Sequence, residues 1–330
     1  MTGLLGGIAK ADFVVVGRAG IDFFTEPGVA AEDSDTVRVG LGGSSANIAA
    51  GICKLGGRAA LVTRVSDDVA GDYAVAQLRR YGVDTHHVTP IGGEHRNSLA
   101  FYESRLEGHR TVIYRNGAAD FQMDVADVEA VDWPRFGALV TAGTVFAADP
   151  SRTAAFRAFD LARSSGLPVI FDVDYRPYSW PSPEVAEDVL TRAAEAADMI
   201  VGNDDEFGFM AGGHGRGRAK AEALAADGRL VIYKMGERGA VTFHEGQVIE
   251  TGIFPVEAMK PTGAGDSFMA GLLMGLAQGH DLRAAILRGS ACASITVSRP
   301  GCAPAMPDTG ALEAFLADHP GPTPVHIREG

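Results

Sequence analysis

Lys260-Pro261-Thr262-Gly263-Ala264-Gly265-Asp266-Ser267-Phe268 is a glycine-rich turn that offers a carboxylate and then enters an apolar helical run. Gly263, Ala264 and Gly265 carry little or no side chain, so an anion can approach their backbone N–H groups. The unsatisfied donors and positive dipole end of the following helix attract it there. Asp266 falls in the first helical turn, where a carboxylate can take the proton from an attacking hydroxyl. A held phosphoryl group beside a base is what phosphoryl transfer asks of a protein. The same letters also describe an ordinary helix start, because Asp satisfies orphan N–H groups and the macrodipole.

Residues 265–277 are apolar nearly all round, with Phe268, Met269, Leu272, Leu273 and Leu276 interleaved with the small Ala270, Gly271 and Gly275. Such a helix has no face for water and predicts close packing on every side, which would hold Asp266 rigidly. Upstream, Phe13-Val14-Val15-Val16 is a short apolar run ended by Gly17 and reads as a buried first strand. Helical patterns at 45–55, 69–81, 152–164 and 183–196 alternate with strand patterns at 60–65, 138–141, 168–171, 199–201 and 230–233. That alternation predicts an α/β fold of βαβ units: a doubly wound, mainly parallel sheet flanked by helices. Residues 23–39 and 98–114, the second with a central Leu106-Glu107-Gly108-His109 turn, lack helical periodicity and predict a small separate sheet. The Gly-rich basic loop 212–218 and the Pro-containing tail 320–330 read as flexible surface.

A chain of 330 residues with 46% hydrophobic content can bury a large core. Its formal charge of −13 argues against a nucleic-acid or anionic-membrane surface, both of which need a basic footprint. An anionic ligand must then be held by local cations and N–H groups. Cys53, Cys292 and Cys302 form an odd set without metal-ligand spacing, so neither a disulfide framework nor a structural zinc site is expected. No signal-peptide pattern opens the chain and no apolar run approaches the roughly 20 residues that span a bilayer, so a cytoplasmic location is expected. The absence of G-x-x-x-x-G-K-[ST] excludes a P-loop, and the lack of G-x-G-x-x-G after the first strand counts against a dinucleotide-binding dehydrogenase.

Gly40-Leu41-Gly42-Gly43-Ser44-Ser45-Ala46-Asn47-Ile48-Ala49 with Leu55-Gly56 resembles the N-terminal signature of the ribokinase-like (pfkB) sugar kinases. The turn at 262–266 resembles their C-terminal signature, in the family's order. Segments at 17–22, 171–177 and 298–307, with Trp180, are similar to the family's sugar-acid kinases. The resemblance covers residues 13–316 and implies a ribokinase-like doubly wound domain over 12–318. Lid segments fall at about 22–39 and 97–118 of a small β-sheet, with flexible termini at 1–11 and 319–330. It implies ATP-dependent phosphorylation of the terminal hydroxyl of a keto-deoxy sugar acid, with 5-dehydro-2-deoxygluconate the first choice. The alternatives are 2-keto-3-deoxygluconate, ribose or fructose, or a regulator that binds nucleotide and sugar without chemistry. ATP and magnesium are the implied cofactors, a monovalent cation is left open, and a homodimer through the β lid is implied, with neither nucleic acid nor membrane as partner.

Residue by residue, the resemblance makes Asp266 the base and gives the transferring phosphoryl group to Gly263, Ala264 and Gly265. It assigns sugar hydroxyls to Asp22, Gly42, Gly43 and Asn47. A carboxylate and an amide can each bridge two hydroxyls, although Asn47 also reads as a helix cap or buried polar contact. Tyr114, Arg115, Asp174 and Arg176 are implied substrate contacts. Strand alternation puts Asp172 and Asp174 on one face, with Arg176 just past the strand end, where α/β sheets bind ligands. Guanidinium forks suit a carboxylate or phosphate; an ordinary Asp–Arg pair is the alternative. Asn203 and Glu206 match the family's N-x-x-E, which organises magnesium through water, and read equally as a capping box. Lys234, Gly236 and Gly239 resemble its nucleotide loop, and Ser290 stands where an Asn often meets adenine and ribose. Lys260-Pro261 departs from the usual Asp-Thr, and Pro261 fixes φ and removes a donor at the loop entry.

Overall fold

Phe13 and Val15 turn to one face of a sheet and Val14 and Val16 to the other, and the two pairs join different cores. This period of two on a strand buried on both sides is what a parallel sheet between helical layers requires. The structure, a computed structural model, describes residues 4–104, 110–319 and 321–322. Its strands are β1 (Asp12–Val16), β2 (Gly20–Phe24), β3 (Arg38–Gly42), β4 (Arg58–Ser66), β5 (Val88–Ile91), β6 (Ser98–Tyr102), β7 (Thr111–Tyr114), β8 (Ala138–Ala142), β9 (Val169–Asp172), β10 (Met199–Asn203), β11 (Leu230–Lys234), β12 (Ala240–His244) and β13 (Gln247–Thr251). Its helices are α1 (Leu4–Ile8), α2 (Ser44–Lys54), α3 (Val69–Arg80), α4 (Val125–Glu129), α5 (Ser151–Ser164), α6 (Pro183–Glu195), α7 (Asp204–Met210), α8 (Gly217–Ala226), α9 (Ala264–Ala277), α10 (Leu282–Val297) and α11 (Thr309–Asp318).

Nine strands form the main sheet in the order β13-β12-β11-β10-β9-β8-β1-β4-β5, parallel except where β12 pairs antiparallel with β11 and β13. The order reverses at β1, between β8 and β4, so the crevice for a ligand opens at the carboxyl ends there. Helices α4 to α8 supply one core, and α1 to α3 with α9 to α11 supply the other. A second, four-stranded sheet, β3-β2-β6-β7, is formed by the segments expected to make the lid and takes that name. Its turn at 106–109 lies outside the described residues, as does most of the tail after 319. Among the described residues, no helix is long and apolar enough to cross a membrane.

Three details depart from the sequence reading. The N-terminal stretch is not a loose lead-in: α1 docks with Ile8 fully buried, and Gly7 is so close to Gly137 that a Cβ would stand 2.4 Å from its carbonyl oxygen. Packing there overrides the poor helix propensity of Gly6-Gly7. The 212–218 loop contains a short 3-10 turn, and Gly217 begins α8 buried against Gly208. Strand β9 ends at Asp172, so Asp174 is not on its face; at φ 36° it sits in the left-handed region, which Asp tolerates better than most residues.

Candidate active site

Helix α9 starts on Gly263, at φ 80°, with no side chain capping its first N–H groups. Helix α2 likewise starts on Gly43, at φ 97°, without a side-chain cap. By contrast α3, α10 and α11 are capped by Asp68, Asp281 and Asp308. The two uncapped helix starts both face a cavity of about 1030 Å³ between the carboxyl edge of the main sheet and the lid. Uncapped N–H groups beside a cavity form an anion-binding end.

Asn47 Nδ2 donates to Asp266 Oδ2 at 2.8 Å, which joins the two signature segments across 219 residues of chain. Asp266 is partly exposed to the cavity. Burial, reinforced by the Asp174 charge, pushes its carboxyl up to about 6, against the pull of Asn47, Arg176 and Lys234. Below the turn, the fully buried Lys260 donates through Nζ to the carbonyls of Thr262 (2.6 Å) and Thr296 (3.2 Å). Thr296 Oγ1 in turn donates to Ser267 Oγ at 2.7 Å, so the turn rests on a hydrogen-bonded floor.

Opposite the turn, Lys234 ends the β11 strand, and a Cβ built on Gly265 would stand 3.5 Å from its Nζ. That opening, flanked by a cation and free N–H groups, fits a phosphate. Gly236, Gly239 and Ser290 also line the cavity, Ser290 at an end walled by Phe254, Val256, Ile286 and Val297 that suits an apolar ring. Asn203 and Glu206 form the capping box: Asn203 Oδ1 accepts from Glu206 N at 2.9 Å, and Glu206 Oε2 from Asn203 N at 2.7 Å. Both still line the cavity, and burial raises the Glu206 carboxyl above its ordinary range. Among the described residues no cluster of three or more His, Cys, Asp or Glu could hold a metal. Magnesium held mainly by water and phosphate oxygens needs no such cluster, and the Asn203–Glu206 oxygen set fits it.

At the lid end of the cavity, Asp174 accepts from Ser44 Oγ and from Thr144 Oγ1 (3.2 Å), and pairs with Arg176 Nη2 at 2.7 Å. Burial opposes its charge, but Arg176 and the two hydroxyls hold its carboxyl below the ordinary range. Asp172 is raised, by burial first. Asp22 and Gly42 lie just behind the cavity wall: the Asp22 carboxylate occupies the space of a Gly42 side chain, 2.0 Å from where its Cβ would be. Burial pushes Asp22 up to about 7, and its Oδ1 has no hydrogen-bond partner among the described residues.

Besides Asp22 and Gly42, expected as substrate contacts but absent from the cavity lining, two expectations need correction. Tyr114 does not line the cavity; the period of two in β7 turns Thr111 and Ile113 inward and leaves Tyr114 exposed on the outer face of the lid. Arg115 does line it, but its guanidinium is already committed. Nε and Nη2 donate to Asp120 Oδ2, Nη1 donates to the Thr144 carbonyl at 2.8 Å, and Phe121 stacks 3.9 Å away. Conversely, Arg18, Ser44, Tyr102, Thr144 and Cys302 line the cavity without having been given a role there. The signal for Arg18 was present: a basic residue directly after the glycine that ends a buried strand.

A pfkB family carbohydrate kinase model matches residues 10–309. The 5-dehydro-2-deoxygluconokinase of Geobacillus kaustophilus is 35% identical over 93% of this chain and 94% of its own length. That of Photobacterium profundum is 36% identical over 92% and 94%. Among solved structures, the fructokinase of Vibrio cholerae with fructose, ADP and calcium ion bound is 25% identical with a TM-score of 0.80, covering 93% of this chain and 99% of that one.

Proposed function

Because the chain belongs to the pfkB family of carbohydrate kinases, we propose that it transfers the terminal phosphoryl group of ATP to the end hydroxyl of 5-dehydro-2-deoxygluconate, giving the 6-phosphate. The observation that carries this reading is the Asn47–Asp266 hydrogen bond beside the uncapped start of α9, supported by relatives named for that reaction.

Asp266 accepts the proton of the attacking hydroxyl, with Asn47 holding the carboxylate through one oxygen. The N–H groups of the turn at 263–265 stabilise charge on the phosphoryl oxygens, and Lys234 and Arg176 add positive charge. Asn203 and Glu206 would hold magnesium through water; when bound, that ion neutralises phosphate charge. Gly43 and Asn47, which line the cavity, hold sugar hydroxyls, with Asp22 and Gly42 directly behind them, and the lid excludes the water that would otherwise compete as acceptor. The taken-up proton leaves through the open side of the cavity, to which Asp266 is exposed.

Lys260 supplies a fixed cation under the turn, so potassium is expected to be without effect on turnover. Val39, Val112 and Tyr114, exposed on the outer lid face, support a homodimer through the lid, to be read by sedimentation of Val112→Asp against the parent chain. The direct test of the reaction is ADP release over a panel of sugar acids and neutral sugars. Strong preference for 5-dehydro-2-deoxygluconate supports the reading. Preference for 2-keto-3-deoxygluconate, fructose or ribose replaces the substrate, and binding of ATP and sugar without ADP release would make the chain a regulator.

A further inference from the structure

Three guanidinium groups line the lid end of the cavity, and they are not equivalent. Arg115 spends all three nitrogens on Asp120 and the Thr144 carbonyl. Arg176 gives Nη2 to Asp174 and Nη1 to the Tyr175 carbonyl at 3.1 Å. Arg18 makes a single side-chain hydrogen bond among the described residues, from Nε to the neutral Ser98 Oγ at 2.8 Å; Asp120, Asp22 and Asp174 act on it electrostatically, but it makes no ion pair with a carboxylate among the described residues. Its Nη2 is buried without a hydrogen-bond partner among the described residues, and the residue is 5% exposed.

A buried cation with an unmet donor is costly to the fold, and replacing it by an apolar residue would ordinarily be neutral or better. A ligand that brings the missing anion repairs it. Arg18 sits in the connection from β1 of the main sheet to β2 of the lid, and its carbonyl accepts from Ala46 N at the start of α2 (3.2 Å). Its backbone is therefore fixed from two sides. Lys234 and Lys260 stand at the phosphoryl turn, Arg115 is paired with Asp120 and Arg176 with Asp174, so Arg18 is the guanidinium of the three whose donors are not bonded to a carboxylate among the described residues.

We infer that Arg18 is the specificity-determining residue of this site, receiving the carboxylate of a sugar acid while the far-end hydroxyl of the same molecule meets Asp266. The inference rests on the sugar-acid reading above and assigns to Arg18 the role that sequence reasoning gave to Arg115 and Arg176. A planar guanidinium matches a carboxylate with two parallel donors, and a neutral ketose leaves those donors unmet. Asp22, within electrostatic reach of both Arg18 and Asp266, suits the hydroxyls in between.

The test compares wild type, Arg18→Met and Arg18→Lys on 5-dehydro-2-deoxygluconate and on fructose as a neutral acceptor, with melting temperatures measured in parallel. Loss of a charged, bidentate contact predicts a KM for the acid raised about 10- to 100-fold in Arg18→Met, with kcat changed by less than about threefold. Arg18→Lys should recover part of that loss, KM for fructose should be unchanged or lower, and the melting temperature should not fall. A purely structural role would instead lower kcat and harm both acceptors alike, and that result overturns the inference. An unchanged KM for the acid overturns it while leaving the proposed reaction standing. A wild-type enzyme that turns over fructose and no acid removes both. Should Arg18→Met not fold, wild type decides: thermal stabilisation by 5-dehydro-2-deoxygluconate but not by its neutral methyl ester is expected, and equal stabilisation refutes the assignment.

Discussion

Asp266→Asn exchanges one carboxylate oxygen for an amide nitrogen of nearly the same size. The Asn47 donor keeps an oxygen to bond, and the uncapped start of α9 is untouched. What is lost is the proton acceptor, and general-base catalysis is worth about 10²- to 10⁴-fold in rate, so kcat should fall by that factor. With burial and the Asp174 charge pushing the Asp266 carboxyl up to about 6, roughly 97% of it is ionised at a pH of about 7.5. Wild-type kcat at saturating sugar should therefore drop about tenfold per unit once pH falls below the Asp266 value. Asp22, pushed to about 7, adds its own step to kcat/KM, which is why the limb belongs in kcat. The folded-state value is raised above that of the unfolded chain, so the native state binds the proton more tightly. Stability contributed by this group is greatest at low pH and declines as pH rises from about 4 to about 6. Neutralising it at pH 7 should then relieve up to about 3 kcal/mol, reduced because the group faces the open cavity. The assay is ADP release across pH with melting temperatures alongside. Turnover within tenfold of wild type, or an acid limb that survives in Asp266→Asn, refutes the assignment.

Arg115→Ala should act on the fold more than on substrate choice. It strands the buried Asp120, whose side chain is 1% exposed, and breaking such a pair costs about 3–5 kcal/mol, to be read in urea unfolding. Lys260→Met leaves the Thr262 and Thr296 carbonyls without their donor; turnover should fall and become responsive to added potassium, whereas the parent chain should show no response in the same titration. Gly271→Ala should cost about 1–3 kcal/mol through overpacking, because its Cβ would meet Cys292 Sγ at 2.7 Å and the Gly289 backbone at 2.9 Å. Since α9 carries Asp266, kcat should decline with it.

The layered fold was legible because its signals are periodic and local. Alternation in 13–16 and the all-round apolar helix at 265–277 leave few ways to bury both, and the glycines at 263 and 265 mark an anion turn through their missing side chains. The lid was legible as a separate sheet but not as an oriented one: periodicity paired Tyr114 with Val112 on one face and Thr111 with Ile113 on the other, and only packing over the cavity decides which face is inward. Asp174 escaped the strand argument because β9 stops two residues earlier and a left-handed residue redirects the chain. Arg115 was misjudged since charge was counted without its neutralising partner, Asp120, five residues on. Arg18 was given no role for the opposite reason, its significance lying in a partner that the chain does not provide. The antiparallel edge was hidden because the G-x-x-G at 236–239 serves both as the turn between β11 and β12 and as cavity lining.

The central claim is that Asp266 and the turn before it direct a phosphoryl group onto the end hydroxyl of a sugar acid. Phosphorus and carbon NMR of the product formed from ATP and 5-dehydro-2-deoxygluconate tests it most directly. The account predicts one phosphate monoester, coupled to the terminal carbon, formed by wild type and absent with Asp266→Asn. Phosphate on another carbon, or release of inorganic phosphate alone with the sugar unchanged, would contradict it.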